Sequence, residues 1–349
     1  MRAHRRFPID DASQVGEARR AAQALAMDLA FDEEAAGRLA LAVTEFGTNL
    51  HRHVGPGRQA ALLIGPDRPD GTPDCGVQVL SVDRGDGMDL ARCLRDGYST
   101  GGSAGTGLGA IRRLADRFGG YSEPGRGAVL AARFAPRTDR LRAYAPPPAF
   151  DVAGLSLAAP GESISGDAWT LRREDTTWTI AVADGLGHGP EAAAAADRFT
   201  ALIAQAAPAA LASPAGLLER AHEPLRSTRG CAAAATTLTE TGSQLRFGGA
   251  GNIAGRLISG LTDRSLLSQH GTLGLQIRRL QDVVYDWPPH AVLVLHSDGI
   301  VSRWSIEDTR GLLQADPAVI AGWIARDHLR GRDDATVVVV RRREAPQAQ

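Results

Sequence analysis

The alternation of apolar and polar residues divides the chain into a half that begins with helices and a half rich in strands. Apolar residues recur at helical spacing over residues 13–30, and a longer helix is predicted from Asp32 to about Val54. GTGLGA (105–110) is predicted to open a helix that ends near Phe118. Strands are predicted at residues 58–64, 76–82, 119–122 and 127–134. This order predicts a two-layer α/β domain.

A proline-rich segment, residues 137–149, separates the two halves, which places the predicted domains at residues 1–136 and 150–349. Residues 88–104 are rich in Gly and Ser and are expected to be irregular. In the second half, helices are predicted at residues 190–207, 214–226 and 316–327. Strands are predicted there at residues 151–158, 168–172, 177–183, 232–239, 244–248, 253–258, 281–286, 291–296 and 337–340. Many strands with few helices predict a sandwich of sheets covered by helices.

Length and charge narrow the classes of function. At 349 residues, the chain exceeds the roughly 250–300 residues that one hydrophobic core usually serves, which favours two domains. The net charge of −1 gives no reason to expect nucleic acid or an anionic membrane as a partner. All 39 basic residues are arginine. Because a Walker A loop requires a lysine, P-loop nucleotide chemistry is excluded.

Cysteine usage and hydropathy bear on location. Cys75, Cys93 and Cys231 are widely spaced and form no CxxC motif, so neither a disulfide framework nor a thiolate zinc site is predicted. The first residues lack the apolar stretch of a secretory signal, and no apolar run approaches the ~18 residues of a membrane-spanning helix. We therefore expect a cytoplasmic protein without a membrane partner.

Acidic residues recur at the edges of apolar or Gly-rich segments in the second half. In AVADGLGHG (181–189), an apolar strand is predicted to deliver Asp184 to its end, where glycines allow a tight turn. A buried carboxylate in that position is costly unless it meets a cation or a donor. The other acids of this kind are Asp167, Asp298, Asp333 and Asp334. These residues are candidate ligands of a shared metal, although each alone could cap a helix or a turn.

A second set of candidates lies in the first half. Glu45 and Asn49 are four residues apart on the long predicted helix and share a face. Asp83 ends a predicted strand and is followed by Gly85 and Gly87. Further on, Gly105, Gly107 and Gly109 precede a helix, whose N-terminal amides suit phosphate oxygens. A dinucleotide-binding Rossmann motif is excluded, because no clear strand leads into these glycines and no suitable acid follows the helix.

The ordered set of E-x-x-x-N, D-x-G-x-G and G-x-G-x-G resembles the gyrase/histidine-kinase (GHKL) ATPase superfamily, and GTGLGAIRRLADRFGG (105–120) resembles its anti-sigma-factor kinases of the RsbW/RsbT type. The resemblance implies a GHKL (Bergerat) α/β sandwich that binds ATP with Mg²⁺. Asn49 is then a Mg²⁺ ligand, and Asp83 accepts from the adenine amino group. Glu45 is the candidate general base for a protein Ser or Thr hydroxyl. The remaining implied nucleotide contacts are Gly85, Gly87, Gly105, Thr106, Gly107, Leu108 and Gly109.

The motifs of the second half resemble the SpoIIE/RsbX branch of the metal-dependent (type 2C) Ser/Thr protein phosphatases. They are GESISGDAW (161–169), ADGLGHG (183–189), GGAGNIAG (248–255), GTLGL (271–275), HSDGI (296–300) and GRDDATVVVV (331–340). The resemblance implies an αββα sandwich with two Mn²⁺ or Mg²⁺ ions, which together activate water and neutralise phosphate charge. Asp184 then bridges both ions, and Asp167 and the Gly185 carbonyl serve one of them. Asp298 serves the other with Asp333 or, because the register of the paired acids is ambiguous, with Asp334.

Three further polar residues in these motifs are expected to be structural. His188 lies in a glycine turn, and Asn252 is expected to support the sheet. His296 precedes a candidate ligand on a predicted strand and is more often a core residue than a ligand in that position.

Together the two resemblances predict a bacterial partner-switching regulator. Its C-terminal domain dephosphorylates phosphoserine or phosphothreonine in a protein, and its N-terminal domain binds ATP and phosphorylates or docks on a STAS-type anti-sigma antagonist. A sigma-factor or stress-signalling pathway is the expected context. Two alternatives stay open. In one, the GHKL domain is a non-catalytic, nucleotide-gated regulatory module. In the other, the C-terminal domain is a metal-free scaffold.

Overall fold

The computed structural model of the chain describes residues 3–55, 57–67, 76–94, 107–136, 148–306 and 311–343. The first domain has the helices α1 (Ala12–Asp28), α2 (Glu33–His53), α3 (Leu90–Cys93) and α4 (Gly107–Leu114). Its strands are β1 (Arg5–Pro8), β2 (Ala61–Asp67), β3 (Gly76–Val82), β4 (Arg117–Glu123) and β5 (Gly127–Phe134). The strands form a five-stranded antiparallel sheet in the order β1-β2-β3-β5-β4. This arrangement confirms the predicted two-layer α/β domain.

Local sequence signals explain where the two long helices begin. Asp11 caps α1 by accepting from the amide of Ser13, and Gln14 returns a side-chain bond to the Asp11 amide, which completes a capping box. Asp32, the predicted start of the second helix, caps α2 by accepting from the Ala35 amide at 2.7 Å. The apolar face of α2 is buried against the sheet, which fixes the polar face that carries the candidate site residues.

Three features of this domain differ from the sequence-based prediction. Strand β1 was not predicted, because only Phe7 is buried in its four residues. Helix α3 forms within residues predicted to be irregular, where Asp89 caps it by accepting from the Arg92 amide. Helix α4 ends well before the predicted Phe118, because the chain enters strand β4 at Arg117.

The second domain is a sandwich of two five-stranded sheets, in the orders β15-β10-β9-β8-β7 and β12-β11-β16-β17-β6. Its helices are α5 (Pro190–Ala204), α6 (Pro214–Leu225) and α7 (Pro317–His328). Its strands are β6 (Phe150–Leu157), β7 (Asp167–Glu174), β8 (Thr177–Gly185), β9 (Cys231–Thr239), β10 (Gln244–Ala250), β11 (Ala254–Ile258), β12 (Asp263–Leu266), β13 (Gly271–Thr272), β14 (Gln276–Ile277), β15 (Val283–Asp286), β16 (Val292–His296) and β17 (Ala335–Arg342). The predicted sandwich is confirmed, and the short strands β12, β13 and β14 were not predicted.

Aromatic and aliphatic side chains fill the space between the two sheets. The rings of Phe150 and Trp287 stack with centroids 5.4 Å apart, and Trp178 meets Phe150 edge-on at the same distance. Helices α5 and α6 cover the outer face of the sheet that contains β8 and β9. Among the residues that the structure describes, none of the helices is long and apolar enough to cross a lipid bilayer.

Helix α7 joins the two domains through a shared core. It packs against β6 and β17 of the second domain and against β3, β4 and β5 of the first. All nine residues from Pro317 to Ala325 are buried. Leu80 and Val129 of the first sheet belong to the same apolar cluster as Ile320 and Trp323 of α7. Because strand side chains alternate between faces, α1, α2 and α4 cover one face of the first sheet and α7 covers the other.

Ion pairs accompany this apolar contact. Asp316, which caps α7, accepts from Arg117 at 2.5 Å and from Arg133 at 3.1 Å, both on the first sheet. Asp151 on β6 accepts from Arg117 at 2.6 Å and from Arg343 at 2.5 Å. These guanidinium partners hold the pKa values of both carboxyls below their usual range, despite the opposing effect of burial. The charges are thus paired across the contact, and losing one partner would leave a buried charge.

The tight contact of α7 with the first sheet gives a stability prediction. A Cβ added at Gly322 would lie 2.6 Å from Leu80 Cδ2 and 2.9 Å from Val129 Cγ1. Gly322→Val is therefore expected to push α7 off the sheet and to lower the free energy of unfolding by about 1–3 kcal/mol. Chemical denaturation of the full-length chain measures this change.

Gly37→Val is the matched control. Gly37 also lies within a helix, α2, but no atom of the described part of the chain lies within 4 Å of its added Cβ. That substitution is expected to change stability by less than about 0.5 kcal/mol. Equal effects of the two substitutions would contradict the tight packing of α7 against the first sheet.

Candidate functional site

A cleft of about 740 Å³ opens in the first domain between α2, the end of β3 and the start of α4. One turn of α2 places Glu45 and Asn49 on its wall, and Asp83 lies directly after β3. The predicted site residues that line this cleft are Glu45, Asn49, Asp83, Gly85, Gly87, Gly107 and Leu108. Residues separated by more than sixty positions in the sequence are therefore brought to one concave surface, the usual form of a small-molecule site.

Asp83 is the buried polar group of the cleft. It is 4% exposed, and one carboxylate oxygen accepts from the Gly85 amide at 2.8 Å. Burial raises the pKa of this carboxyl, and the Gly85 hydrogen bond only partly opposes it. Gly87 has a φ of +77°, and a Cβ there would lie 2.4 Å from the Glu123 carbonyl oxygen. Glycine at position 87 therefore suits both this backbone conformation and the close approach to Glu123.

One of the predicted nucleotide contacts does not line the cleft, and two others cannot be placed. Gly105 and Thr106 lie outside the described residues. Gly109 is buried within α4 and is absent from the cleft lining. Two cations that the sequence analysis did not select do line the cleft, Arg52 and Arg92. The signal for Arg52 was present, because it follows Asn49 by three positions and so shares its helix face.

The second candidate site is a group of carboxylates at the ends of paired strands. Asp167 begins β7 and lies directly opposite Asp184, near the end of β8. Asp298 follows β16, and Asp333 and Asp334 precede β17, its antiparallel neighbour. Each of the two sheets therefore contributes acids from the ends of its strands. We refer to these five residues as the acidic centre.

The carboxylates of the acidic centre raise one another's pKa values by charge repulsion. Burial is the main cause that raises the pKa of Asp184 to about 7, and repulsion from Asp298, Asp333 and Asp334 adds to it. Asp167 is 1% exposed, and burial followed by the charge of Asp184 raises its pKa well above the usual range. Like charges held together in this way are costly unless a cation joins them.

Neighbouring side chains orient individual members of the acidic centre. Ser297 donates from its hydroxyl to Asp167 Oδ2 at 2.6 Å and accepts from the Thr336 amide at 2.9 Å. Asn252 donates from its amide to Asp298 Oδ2 at 2.9 Å. From the sequence, Asn252 was expected only to support the sheet, and Ser297 was not a candidate site residue. Neither contact can be predicted from a local sequence pattern, because each joins residues more than forty positions apart.

Close packing at the end of β8 explains two glycines. A Cβ at Gly185 would lie 2.1 Å from the Ala192 carbonyl oxygen in the first turn of α5. The Gly185 amide donates to the Gly166 carbonyl at 3.1 Å, which joins the backbone that follows Asp184 to the backbone that precedes Asp167. A Cβ at Gly166 would lie 2.7 Å from Asp334 Oδ2. Glycine at these positions therefore lets the acids approach.

The side chains of the two histidines in these motifs contact residues outside the acidic centre. His188 is exposed, and its Nδ1 lies 2.7 Å from Glu162 Oε1. His296 is buried, and its Nε2 accepts from the Trp304 indole at 3.1 Å. Burial lowers the pKa of His296 to about 4, so it stays neutral. Both positions agree with the structural roles expected from the sequence.

The acidic centre fits a hard divalent cation by its donors. Two buried carboxylate oxygens, Asp167 Oδ1 and Asp334 Oδ2, have no hydrogen-bond partner among the residues that the structure describes. Carboxylates with oxygens left free are the ligands that Mg²⁺ and Mn²⁺ prefer. Within the described residues, no three His, Cys, Asp or Glu side chains stand in preformed metal-ligand geometry.

Each half of the chain matches a known protein family. Residues 7–134 match the family described as histidine kinase-like ATPase domain, and residues 174–343 match the family described as stage II sporulation protein E (SpoIIE). The serine/threonine-protein kinase RsbT of Bacillus subtilis (strain 168) is 29% identical over 116 residues, which cover 33% of this chain and 84% of RsbT.

Solved structures resemble a little over half of the chain. One, from work on the bacterial stressosome as a modular system adapted to control secondary messenger signalling, is 28% identical with a TM-score of 0.50. The match covers 55% of this chain and 99% of that one. A structure of RsbX in complex with magnesium is 20% identical with a TM-score of 0.47 and covers 56% of this chain and 96% of that one.

The family matches and the fold confirm the two resemblances found in the sequence. The SpoIIE match begins after Asp167, so the role of that residue rests on its place opposite Asp184. The roles of the individual site residues stay predictions. The chain joins a histidine kinase-like ATPase domain of the GHKL type to a SpoIIE-type serine/threonine protein phosphatase domain.

Proposed function

We propose that this chain is a bacterial partner-switching regulator with a phosphatase and an ATP-binding half. Its metal-dependent C-terminal domain removes phosphate from phosphoserine or phosphothreonine in a STAS-type anti-sigma antagonist. Its N-terminal domain binds ATP with Mg²⁺ and phosphorylates the same kind of partner. The observation that carries the phosphatase half is the acidic centre, whose crowded carboxylates and free buried oxygens call for divalent cations. The proposed domain boundaries are residues 1–136 and 150–349.

Each residue of the acidic centre has a proposed part in phosphate hydrolysis. Divalent cations, when bound, would neutralise phosphate charge and lower the pKa of a bound water to near neutrality. Asp184, placed between the acids of both sheets, is the proposed shared ligand, with Asp167 on one side. Asp298 and Asp333 or Asp334 would complete the other side. Ser297 and Asn252 would hold Asp167 and Asp298 in the ligand orientation.

In the first domain, the cleft supports nucleotide binding through matched polar groups. The buried carboxylate of Asp83 suits the amino group of adenine, and Asn49 suits a Mg²⁺ ion on the phosphates. Gly107 and Leu108 begin α4, so their amides would face phosphate oxygens. Glu45 would accept the proton of the attacking hydroxyl. RsbT, a serine/threonine-protein kinase, is 29% identical to this chain over 116 residues, which supports this proposal.

A label-transfer experiment separates a kinase from a non-catalytic nucleotide module. The Asp184→Asn chain, in which phosphatase activity is removed, is incubated with γ-labelled ATP and candidate STAS proteins. We expect label on the STAS protein, and we expect Glu45→Gln in the same background to reduce it by about 10²-fold or more, as for loss of a general base. ADP affinity, measured by calorimetry, is expected to be unchanged by Glu45→Gln.

Two results would contradict the proposed kinase and phosphatase activities. Tight ATP binding without label transfer would establish the nucleotide-gated module in place of the kinase. Asp83→Asn is expected to weaken ADP binding by about tenfold or more, since hydrogen bonds to charged groups are worth about 1.5–3 kcal/mol. Asp86→Asn is its control, because Asp86 lines the same cleft but is 85% exposed. If Mn²⁺ fails to support hydrolysis of a phosphopeptide, the metal-free scaffold is the correct interpretation.

A further inference from the structure

A side chain of the phosphatase domain contacts the backbone of Asp83, a residue that lines the cleft of the first domain. Arg326, in the last turn of α7, donates through Nη1 to the main-chain oxygen of Asp83 at 2.9 Å and to that of Arg126 at 2.8 Å. Its side chain is 3% exposed and lies 3.6 Å above the ring of Trp323. Burying a guanidinium is costly unless its donors are satisfied, so these contacts select one arrangement of the chain around Asp83.

A second set of contacts fixes this guanidinium. Its Nε and Nη2 donate to the two oxygens of Asp327, each at 2.9 Å. Arg84, which follows Asp83, donates in return to the Arg326 carbonyl at 2.9 Å and pairs with Asp327 at 3.3 Å. The two segments therefore hold each other through reciprocal, charge-assisted bonds. Since the Asp83 carboxylate lines the cleft, displacing its backbone would displace the group proposed to read adenine.

The same end of α7 also reaches the acidic centre. Two residues beyond Arg326, the His328 carbonyl accepts from the Val301 amide at 2.9 Å. The Arg330 amide then donates to the Gly299 carbonyl at 2.8 Å. Gly299 directly follows Asp298, and a Cβ there would lie 2.0 Å from the Asp334 carbonyl oxygen. Residues 326–330 thus contact the backbone of Asp83 at one end. At the other end they contact the backbone of Gly299, next to Asp298 of the acidic centre.

We propose that Arg326 is a positioning residue of the nucleotide pocket, supplied by the phosphatase domain, and that residues 326–330 couple nucleotide binding to phosphatase activity. The inference rests on the proposed nucleotide binding of the first domain. A ligand that shifts Asp83 shifts Arg326, and the next residues along the chain hold the loop that carries Asp298. Because coupling of two binding sites is reciprocal, metal at the acidic centre should change nucleotide affinity as well.

The test compares the full-length chain with two arginine variants, using ADP binding by calorimetry and hydrolysis of p-nitrophenyl phosphate with Mn²⁺. In the unaltered chain, saturating ADP is expected to change kcat/KM by about fivefold or more, the range of a typical coupling. Arg326→Gln is expected to weaken ADP binding about tenfold and to make hydrolysis insensitive to ADP. Loss of packing alone would lower stability without removing this sensitivity.

Arg342→Gln is the matched control. Arg342 also donates to two main-chain oxygens, those of Glu240 and Gly242, and lies over the ring of Phe150 at 5.2 Å. These partners belong to the phosphatase domain and to neither site, so ADP affinity and its effect on hydrolysis should be unchanged. If Arg326→Gln fails to fold, Arg84→Gln replaces it, because Arg84 is 43% exposed. This substitution removes the returning bond to the Arg326 carbonyl and the pair with Asp327, but it leaves the bonds from Arg326 to the Asp83 and Arg126 carbonyls. We expect a smaller loss of both ADP affinity and ADP sensitivity.

Each other outcome has a distinct meaning. If the unaltered chain binds no ADP, the proposed nucleotide site is wrong, and this inference is overturned with it. If ADP binds equally well to the unaltered chain, Arg326→Gln and Arg84→Gln, the nucleotide site stands and the positioning role is wrong. If ADP binds the unaltered chain but leaves hydrolysis unchanged, the coupling is wrong.

Discussion

Asp184→Asn is expected to lower phosphatase kcat/KM by on the order of 10³-fold or more and to raise the melting temperature of the metal-free chain at about pH 8. The activity falls because the proposed shared ligand loses its charge, and metal assistance supplies several kcal/mol of transition-state stabilisation. The stability rises because burial and three neighbouring acids raise the pKa of Asp184 to about 7, so ionising it is unfavourable in the folded chain. Hydrolysis of p-nitrophenyl phosphate with Mn²⁺ and thermal unfolding in chelator measure the two effects.

Asp175→Asn is the control for this substitution. Asp175 lies in the exposed turn of the same β7–β8 hairpin, at the end away from the acids, and has a φ of +51°. Asparagine tolerates that conformation as well as aspartate does. We expect neither activity nor stability to change. Retention of more than about a tenth of the activity by Asp184→Asn would contradict its role as shared ligand.

Divalent metal is expected to stabilise the chain more at about pH 8 than at about pH 5.5. The pKa of Asp184 is about 7 in the folded chain against an ordinary 3.8, so the stability contributed by this group is present below 3.8 and is lost as the pH rises through about 7. The pKa values of Asp167 and Asp334 are raised as well, mainly by burial. A bound cation reverses this loss, because it favours the charged carboxylates.

The metal-induced shift in melting temperature is the quantity to compare, because other groups titrate in the same range. Burial lowers the pKa values of His4 and His296 to about 4, so these residues remove stability as the pH falls below about 6.5. The interdomain carboxylates Asp151 and Asp316 have lowered pKa values, so their ion pairs persist through this range. Equal metal-induced shifts at both pH values, or an undiminished shift in Asp184→Asn, would contradict the prediction.

Elements with strong local signals were predictable from the sequence. The amphipathic pattern and the cap at Asp32 fixed α2, and the apolar run before Asp184 fixed β8. The acids of the acidic centre were also predictable, because strand ends can be read locally and paired strands bring their ends together. Strand β1 was missed because its four residues bury only one side chain and depend on pairing with β2 for their conformation.

The hydrogen bonds that support the acidic centre and the contact between the domains were harder to predict from the sequence. The bond from Ser297 to Asp167 spans 130 positions, and no local pattern encodes it. Helix α7 did carry a signal, since its sequence is apolar on all sides and such a helix is buried on all sides. The pattern alone does not say which surface covers the second side. That surface is the first sheet, and its identity follows only from the folded chain.

The shared core around α7 bears on how such a chain can diversify. The two domains are not independently exchangeable modules, because replacing either one would leave a row of aliphatic side chains, among them Leu80 and Ile320, without a partner. Substitutions on the back of the first sheet and on α7 should therefore accumulate in compensating pairs. A first domain taken from another protein would fit this chain only if the surface of α7 changed to match its sheet.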